Sequence, residues 1–421
     1  MKFSQLFTKT LREAPADEEA INAKLLIRGG FVYKNSAGIY SFLPLGWRVL
    51  TKVANIIREE MNAIGGQELF MPALVEKKYM EPTGRWDLDV GFYVNSSRSK
   101  ASGSSRSLAS GEDFVLGWSH EEVLTAIASK FISSYKDLPF SAYQIQTKFR
   151  HEARAKSGLL RGREFMMKDL YSFHANEQDL NKHYEEAAKA YYKIFERCGL
   201  KAIYTLAAGG VFTDKFTHEF QVVADVGEDT IYLCEKCEYA ENKEVTKLKD
   251  GDNCPKCEGK VKEKKSIEVG NIFDQGTKYS EALGLYYTDE SGNKKPVVMG
   301  AYGIGLGRVM ATAIEVHHDD RGIIWPENIA PFKVCLIALD GKNKETDRVY
   351  SDLTKHNIEV LYDDREDKTP GEKFADADLI GCPIRLVISN KTLAQDSIEL
   401  KYRNEKEFEL VKLTEVVKSI H

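Results

Sequence analysis

The 421-residue sequence lacks long hydrophobic runs, a hydrophobic leader and a strong net charge. One of its longest apolar runs, VCLIAL at residues 334–339, is far shorter than the roughly 20 residues that a membrane-spanning helix needs. Lysine and arginine number 59 against 64 acidic residues, so the net charge of −5 gives no sign of a nucleic-acid partner. These absences exclude a membrane-spanning protein and predict a cytoplasmic one, and the length predicts two to four domains.

The pattern of the seven cysteines, two close pairs and three single residues, favours a metal site over a disulfide framework. Four of them form two CxxC pairs, Cys234 with Cys237 and Cys254 with Cys257, and sixteen residues separate the pairs. Four thiolates at this spacing can surround one Zn²⁺ ion tetrahedrally and close its coordination shell. The spacing therefore predicts a structural zinc site in a small ribbon, against the alternative of unligated cysteines.

Hydrophobic periodicity predicts the main helices and strands. Apolar residues at three- and four-residue steps predict a helix over 44–64 that ends at Gly65, and another over 176–198. Alternating runs predict two antiparallel strands at 140–149 and 165–172.

Two further segments have a recognisable pattern. Residues 68–75 are predicted to form a buried strand, with Pro72 at an edge, a bulge or a subunit boundary. After Pro331, short β-branched runs alternate with charged, helix-like segments, which predicts a small separate α/β domain.

The Ser-rich segment 95–112 has too little apolar surface to order itself. We interpret it as a solvated loop, in preference to an RNA-contacting role for Arg98, Lys100 and Arg106.

Arg150 and Glu152 lie two positions apart in the segment KFRHE. Side chains two apart on a strand project from the same face of a sheet. The guanidinium fits a phosphate or carboxylate, the carboxylate can accept from an adenine amino group, and Phe165 on the next strand can stack on a base. The residues alone leave a nucleotide site and a cross-strand ion pair equally open.

A glycine-rich run at 300–307 precedes Arg308. Dense glycines let a backbone approach a ligand or another strand closely, but no Gly-Lys-Ser/Thr follows, so the run is not a P-loop. On local grounds, a tightly packed strand-to-helix junction is favoured.

Ser119 and Glu122 stand three residues apart before an apolar helix, which predicts a capping box. Glu121 is then free to face a cationic ligand. His218 alternates with Phe220 on one face of a predicted strand, where a lone histidine is usually a core residue with satisfied hydrogen bonds.

Together these segments resemble the class II aminoacyl-tRNA synthetases, and within them the bacterial-type prolyl-tRNA synthetases. KFRHEARAKSGLLRGREFMMKDLYSFH resembles motif 2 of that class, GGQELFMPAL is similar to motif 1, and GAYGIGLGRVMATAIEVHHDDRGIIWPENIAPF is similar to motif 3. FADADLIGCPIRLVI, preceded by YDDRE, resembles the anticodon-binding domain. The resemblance covers nearly the whole chain in the family's order.

The resemblance implies a multidomain α+β and α/β fold. A class II catalytic domain at 1–230 and 269–328 would be built on a six- or seven-stranded antiparallel sheet with flanking helices, and would form a homodimer through motif 1. A zinc-ribbon-like insertion at 231–268 would stand where bacterial relatives carry a large editing domain. A mixed α/β anticodon-binding domain would follow at 329–421.

The resemblance also implies sites for ATP, L-proline and the anticodon of tRNA(Pro). The ATP-binding residues would be Arg150, Glu152, Arg161, Phe165, Gln221 and Arg308, of which Arg150 and Arg308 would be catalytic. The proline-binding residues would be Ser119, Glu121, Arg150 and His218. The anticodon contacts would be Arg365 and Lys373, and Glu219 is a candidate Mg²⁺ ligand.

The implied reaction activates proline with ATP and Mg²⁺ and then transfers the prolyl group to tRNA, with no side chain acting as nucleophile. The sequence departs from the family where Trp118 replaces proline, Ser119 replaces threonine and Ala301 replaces cysteine, and the Ser-rich segment has no counterpart. Since the editing domain is missing, we expect no editing in cis.

Two alternatives remain beside this interpretation. One is a catalytically inactive, synthetase-like RNA- or protein-binding factor, which is disfavoured because Arg150, Glu152, Phe165 and Arg308 are all retained. The other is an enzyme of the same class that charges another amino acid, which would need an oversized or metal-lined pocket and which Glu121 with His218 disfavours.

Overall fold

The structure is a computed structural model that describes residues 1–94, 113–153, 155, 157–340 and 344–420. The Ser-rich segment 95–112 lies outside the described residues. No helix in the described ranges is long and apolar enough to cross a membrane.

The elements are numbered in chain order. The helices are α1 (Ile21–Arg28), α2 (Pro44–Ala63), α3 (Lys77–Met80), α4 (Glu121–Ala128), α5 (Glu177–Arg197), α6 (Lys278–Ala282), α7 (Leu306–Val316), α8 (Lys344–Lys355), α9 (Pro370–Ile380), α10 (Asn390–Leu393) and α11 (Val416–Ile420). The strands are β1 (Val32–Ser36), β2 (Ile39–Phe42), β3 (Gly66–Glu68), β4 (Leu74–Glu76), β5 (Phe92–Val94), β6 (Phe114–Leu116), β7 (Phe140–Phe149), β8 (Glu164–His174), β9 (Ile203–Ala208), β10 (Phe216–Val223), β11 (Asp229–Cys234), β12 (Ala240–Asn242), β13 (Val261–Gly276), β14 (Tyr286–Thr288), β15 (Lys294–Pro296), β16 (Val298–Gly305), β17 (His318–Asp319), β18 (Gly322–Ile323), β19 (Val334–Ala338), β20 (Val360–Asp363), β21 (Ile384–Ile388), β22 (Ser397–Tyr402) and β23 (Glu409–Lys412).

The chain divides into two compact units. The first unit consists of Met1–Asn35, Tyr40–Val53 and Ala313–His421, and the second consists of Ser36–Ile39 and Ala54–Thr312.

The second unit is built on a sheet of nine strands in the order β10-β9-β12-β11-β13-β16-β8-β7-β3. All neighbouring strands are antiparallel except the pairs β3–β7 and β9–β12. Strand β10 also pairs with β13, which closes five strands into a ring. Strands β11 and β12 belong to residues 229–268, which we call the cysteine segment. Without these two strands, seven strands remain, the upper number that the resemblance implies.

The strands and helix predicted at the centre of this sheet are confirmed. Strands β7 and β8 pair in one continuous register from Phe140 opposite Phe173 to Phe149 opposite Glu164. Helix α5 is capped by Asn176, whose side chain accepts from the backbone N–H of Asp179, and it packs against β8, β13 and β16.

The prediction of one buried strand over 68–75 is wrong. The chain forms two short strands, β3 and β4, with an irregular segment between them, and Phe70 there is 77% exposed. Side chains hold the middle of this segment, since Met71 N–H donates to Gln144 Oε1 (3.0 Å) and the Pro72 carbonyl lies 3.0 Å from His120 Nε2.

The predicted insertion 231–268 is continuous with this sheet. Its two ends fall inside β11 and β13, and the second half of β13 pairs with β16 at the centre of the sheet. The cysteine segment therefore shares its strands with the sheet that it interrupts.

The first unit contains the predicted C-terminal α/β domain. Its sheet has the order β20-β19-β21-β22-β23, in which the first three strands are parallel and the last two are antiparallel. The N-terminal residues belong to this unit, because the Tyr362 N–H on β20 donates to the Met1 carbonyl (2.9 Å).

Candidate active site

A cavity of about 400 Å³ lies in the second unit against β8, β13, β16 and the first turn of α7. Its size is within the range of small-molecule sites. Eight of the residues predicted from the sequence line this cavity: Ser119, Glu121, Arg150, Glu152, Arg161, Phe165, Glu219 and Arg308. Strand pairing explains this convergence, since β7 ends at Phe149 and thereby places Arg150 and Glu152 just beyond the sheet, beside the start of β8.

Three arginines line this cavity, and two of them, Arg150 and Arg308, lie close together. The Arg150 guanidinium lies 5.3 Å from the Phe165 ring centre, and its Nε and Nη2 each lie 3.4 Å from the Trp118 carbonyl. Arg308 donates to the Leu160 carbonyl (2.9 Å) and to the Glu268 carboxylate (2.9 Å). Burial and then the nearby Arg308 lower the pKa of Arg150. The neighbouring Arg150 and Arg308 guanidinium groups create a positive potential in the cavity, which favours a ligand with several anionic oxygens.

Glu152 lies in an ion pair that connects the two ends of the loop between β7 and β8, the motif 2 loop of the resemblance. Arg161 donates through Nε to Glu152 (2.8 Å) and through Nη1 to Glu228 (2.7 Å). The Arg161 side chain is 45% exposed, and exposed pairs of this kind stabilise a protein by no more than about 1 kcal/mol. The carboxylate can therefore exchange Arg161 for a ligand amino group at small cost.

The predicted capping box at Ser119 and Glu122 is wrong. The residue that precedes α4 is His120, and no side chain caps this helix. Ser119 Oγ instead accepts from Arg85 (2.6 Å), and Glu122 accepts from Arg85 (2.9 Å) and from the Thr83 hydroxyl (2.9 Å). The buried Arg85 guanidinium thus forms hydrogen bonds with both side chains of the predicted capping box.

Arg85 is shared by two neighbouring carboxylates. Its Nη1 donates to Glu121 (3.0 Å) and to Glu122 (2.9 Å), and all three side chains are at most 3% exposed. Burial opposes ionisation of Glu121, but Arg85 holds the pKa of Glu121 below its usual value, whereas burial raises the pKa of Glu122. Of the two carboxyl groups, Glu121 ionises more readily, and it is also the one that lines the cavity.

A buried hydrogen-bond network supports the loop that carries Ser119 and Glu121. The His120 N–H donates to the Tyr171 hydroxyl (2.8 Å), which donates to Asp169 (3.0 Å), and Lys148 also donates to Asp169 (2.9 Å). Lys148 Nζ lies 2.8 Å from His120 Nδ1. This network fixes the loop from beneath the cavity.

An acidic wall borders the cavity near Arg308. Glu219 on β10 and Glu268 on β13 line it, and Asp229 lies beside them. Burial and the neighbouring Glu268 raise the pKa of Glu219 to about 8, and burial raises the pKa of Asp229. Gln221 does not line the cavity but donates to Glu219 (2.8 Å) and to Asp229 (2.8 Å). Carboxylates that are costly to ionise together favour a bound divalent cation.

His218, which the resemblance places in the proline pocket, is not among the residues that line this cavity. Its ring stacks on Tyr204 with centres 4.1 Å apart, and its Nδ1 lies 3.0 Å from the Tyr184 hydroxyl on α5. Burial lowers the pKa of His218 to about 4. Since side chains alternate along β10, His218 faces the helix while Glu219 faces the cavity.

The four paired cysteines come together as the spacing predicts. Their Sγ atoms all lie within 4.8 Å of one another, with 3.5 Å between Cys234 and Cys257 and 3.6 Å between Cys237 and Cys254. They are the one group of potential metal ligands of this kind among the described residues.

The two residues expected to contact the anticodon have internal partners in the first unit. Lys373 is 2% exposed and donates to the Ala338 carbonyl (2.6 Å), so its assignment as a direct RNA contact is wrong. Arg365 donates to Asp363 (2.7 Å) and Asp376 (2.8 Å) and lines a second cavity, of about 920 Å³.

Sequence reasoning missed Arg85 and Glu268. Arg85 is 36 residues from Glu121 along the chain, and its local sequence has no pattern that points to a buried ion pair. Glu268 lies on β13, where the consecutive residues 268–271 all line the cavity, so alternation along the strand does not single it out.

Family models match most of the chain. The model of the tRNA synthetase class II core domain (G, H, P, S and T) matches residues 107–317, and that of the anticodon binding domain matches residues 333–421.

Curated relatives match over almost their whole length. The proline–tRNA ligase of Dehalococcoides mccartyi is 33% identical over 573 residues, which cover 100% of this chain and 98% of the relative. The proline–tRNA ligase of Thermodesulfovibrio yellowstonii is 33% identical over 575 residues, and that of Exiguobacterium sibiricum is 35% identical over 577 residues, each covering 100% of this chain and 99% of the relative.

Solved structures share the fold. Prolyl-tRNA synthetase from Cryptosporidium parvum, complexed with halofuginone and AMPPNP, superposes with a TM-score of 0.77 at 17% identity over 95% of this chain and 75% of that chain. Giardia lamblia prolyl-tRNA synthetase, in complex with prolyl-adenylate, gives 0.76 at 20% identity over 93% and 74%. The predicted fold class is confirmed.

Proposed function

The chain belongs to the prolyl-tRNA synthetases of class II, and from this premise we propose that it makes prolyl-adenylate in the 400 Å³ cavity. The observation that carries this assignment is the juxtaposition of Arg150 with the Ser119–Glu121 loop, through the Trp118 carbonyl. A cation and an ionised carboxylate at neighbouring positions suit the carboxylate and the ammonium of a free amino acid.

Activation needs positioned charge more than a reactive side chain. A proline carboxylate oxygen attacks the α-phosphorus of ATP, a bond to that phosphorus forms, and the bond to the bridging oxygen breaks to release pyrophosphate. Arg150 would hold the proline carboxylate and the α-phosphate, and Arg308 would hold the γ-phosphate. Such contacts lower the barrier by orienting the reactants and stabilising the charge that develops.

The rest of the cavity suits the nucleotide. Phe165 offers a face for stacking on adenine, Glu152 offers an acceptor for its amino group, and Arg161 offers a second contact for the phosphates. Glu219 and Glu268 would hold Mg²⁺, which neutralises phosphate charge when it is bound.

We further propose that the enzyme does not edit in cis. The alignment with the Dehalococcoides relative is 573 residues long, whereas this chain has 421, so at least 152 aligned positions have no residue here. Alanyl-tRNA formed by the purified enzyme should therefore accumulate, and its rapid hydrolysis by this chain alone would contradict the proposal.

The cysteine cluster would hold one structural Zn²⁺. Four sulfurs placed tetrahedrally about 2.3 Å from zinc lie about 3.8 Å apart, close to the 3.5 and 3.6 Å seen here. We expect one zinc per chain by metal analysis of the purified protein. Cys237→Ser should lower this content, whereas Cys198→Ser, at a buried cysteine outside the cluster, should not.

A homodimer and a cytoplasmic location complete the proposal. Phe70 and Leu74 in the motif 1 segment, and Phe131 just after α4, are 50–77% exposed, as expected for a surface that a second copy covers. Sedimentation equilibrium should give twice the 47.6 kDa mass of the chain, and a monomer would contradict the dimer. Arg365 stays a predicted contact for the anticodon of tRNA(Pro).

Charging of tRNA(Pro) with labelled proline tests the whole function. The purified protein with ATP and Mg²⁺ should form prolyl-tRNA that is sensitive to mild alkali. The alternative, an inactive RNA- or protein-binding factor, predicts that tRNA binds but is not charged.

A further inference from the structure

The cysteine segment reaches the active-site cavity through β12. The first cysteine pair forms the turn between β11 and β12, since Cys234 ends β11 and its N–H donates to the Tyr239 carbonyl (2.8 Å). Strand β12 starts at Ala240 and pairs with β11 on one side and, in parallel, with β9 on the other. The end of β12 therefore lies beside the end of β9, where Ala208 lines the cavity.

Asn242, the last residue of β12, contacts the acidic wall. It is 8% exposed, and its Nδ2 donates to Glu219 Oε2 (3.2 Å). Gln221 donates to the same oxygen (2.8 Å). Two donors, one of them supplied by the cysteine segment, thus set the orientation of Glu219.

Glu244, two residues further on, holds the base of a loop in the cavity wall. Its Oε1 accepts from the Ala208 N–H (3.1 Å), and both residues line the cavity. The loop continues to Phe212, whose ring centre lies 6.4 Å from Trp118 and 4.9 Å from Phe273. Since Trp118 precedes Ser119, this loop closes the end of the cavity assigned to proline.

We propose that Asn242 and Glu244 are positioning residues for proline activation, and that the cysteine segment is thereby an integral part of the active site. This inference rests on the proposed function. Asn242 acts through Glu219 at the nucleotide end, and Glu244 acts through the Ala208–Phe212 loop at the proline end. Substitution of Asn242 should therefore change KM for MgATP, and substitution of Glu244 should change KM for proline.

Steady-state pyrophosphate exchange tests this division. Glu244→Ala should raise KM for proline about tenfold with kcat within about threefold, the size expected for one lost hydrogen bond to a charged group. Glu244→Gln keeps Oε1 as an acceptor and should stay near wild type. Asn242→Ala should raise KM for MgATP about tenfold and leave KM for proline unchanged.

The matched control is Glu263→Ala. Glu263 lies in the same segment and accepts from the Tyr232 hydroxyl (2.7 Å), but it does not line the cavity. Both KM values should stay at the wild-type level. An equal rise of KM in Glu263→Ala and Glu244→Ala would mean that any disturbance of the segment acts on the site, which would overturn the specific roles.

Hydrogen–deuterium exchange gives a readout that does not depend on activity. The Glu244 side chain is exposed, so its replacement should leave folding intact. The peptide that contains the Ala208 amide should exchange faster in Glu244→Ala and at the wild-type rate in Glu244→Gln. Wild-type protection together with wild-type KM for proline in Glu244→Ala would overturn the inference. If the wild-type protein lacks proline-dependent exchange, the proposed function fails, while the deuterium measurement still decides whether Glu244 holds the loop.

Discussion

Arg150→Ala should lower kcat/KM for proline activation by about 10³-fold. Its guanidinium faces the cavity beside Arg308, where the proposed function assigns it both the proline carboxylate and the α-phosphate. Removal of one donor aimed at developing charge, or of one arginine that stabilises phosphoryl transfer, costs on the order of 10²- to 10⁵-fold in rate. The loss should appear in pyrophosphate exchange, where it corresponds to about 4 kcal/mol.

Two companion variants sharpen this test. Arg150→Lys keeps the charge but loses the planar fork, so its activity should fall between those of the wild type and Arg150→Ala. Arg163→Ala is the matched control, because Arg163 lies in the same motif 2 loop but donates to the Glu152 carbonyl (2.9 Å) and does not line the cavity. The site assignment would be wrong if Arg150→Ala kept more than a tenth of the activity.

Arg85→Met should destabilise the second unit by about 3–5 kcal/mol and abolish proline binding. Arg85 is buried against Trp118 (3.9 Å to the ring centre) and is the cation shared by Glu121 and Glu122. Without it, two buried carboxylates lie side by side, and the pKa of Glu121 rises so that the group loses the charge that would bind the prolyl ammonium. Calorimetric unfolding and the KM for proline measure the two effects.

A second substitution and a surface control separate charge from packing. Arg85→Met/Glu122→Gln should recover part of the lost stability, because only one unpaired carboxylate remains. Arg58→Ala breaks the half-exposed ion pair of Arg58 with Glu68 (2.9 Å) and should cost no more than about 1 kcal/mol. An Arg85→Met protein as stable as Arg58→Ala would show that the guanidinium does not compensate the two carboxylates.

Local sequence patterns predicted the helices and strands that follow from the hydrophobic periodicity of their own residues. The alternation over β7 and β8 and the 3.6-residue period of α5 each describe one buried face, and the structure contains these elements within one or two residues of the predicted ends. The CxxC spacing likewise predicted a cysteine cluster, because four nearby thiols on two tight turns leave few other arrangements.

Long-range partners explain the errors. Ser119 and Glu122 fit a capping box, but Arg85, more than 30 residues away, forms hydrogen bonds with both of them. Residues 68–75 are apolar enough for a strand. Hydrogen bonds with the side chains of Gln144 and His120, both distant in sequence, instead hold part of them as an irregular segment between β3 and β4. A single sequence does not encode these contacts in any local pattern.

The case of His218 shows how alternation and resemblance can disagree. Alternation along β10 placed His218 with Phe220 on a core face, which agrees with its stacking on Tyr204. The resemblance had placed it in the proline pocket. Alternation identifies the residues that share a face but does not tell which face the cavity lies on, and Glu219 on the opposite face lines the cavity.

Amino-acid-dependent exchange of labelled pyrophosphate into ATP tests the central claim most directly. The purified protein, with Mg²⁺ and with proline, alanine, threonine or no amino acid in parallel, should support exchange with proline far above the other reactions. Folded protein that supports no exchange with any of these amino acids, or supports it equally with threonine, would contradict the account of this cavity as a proline-activating site.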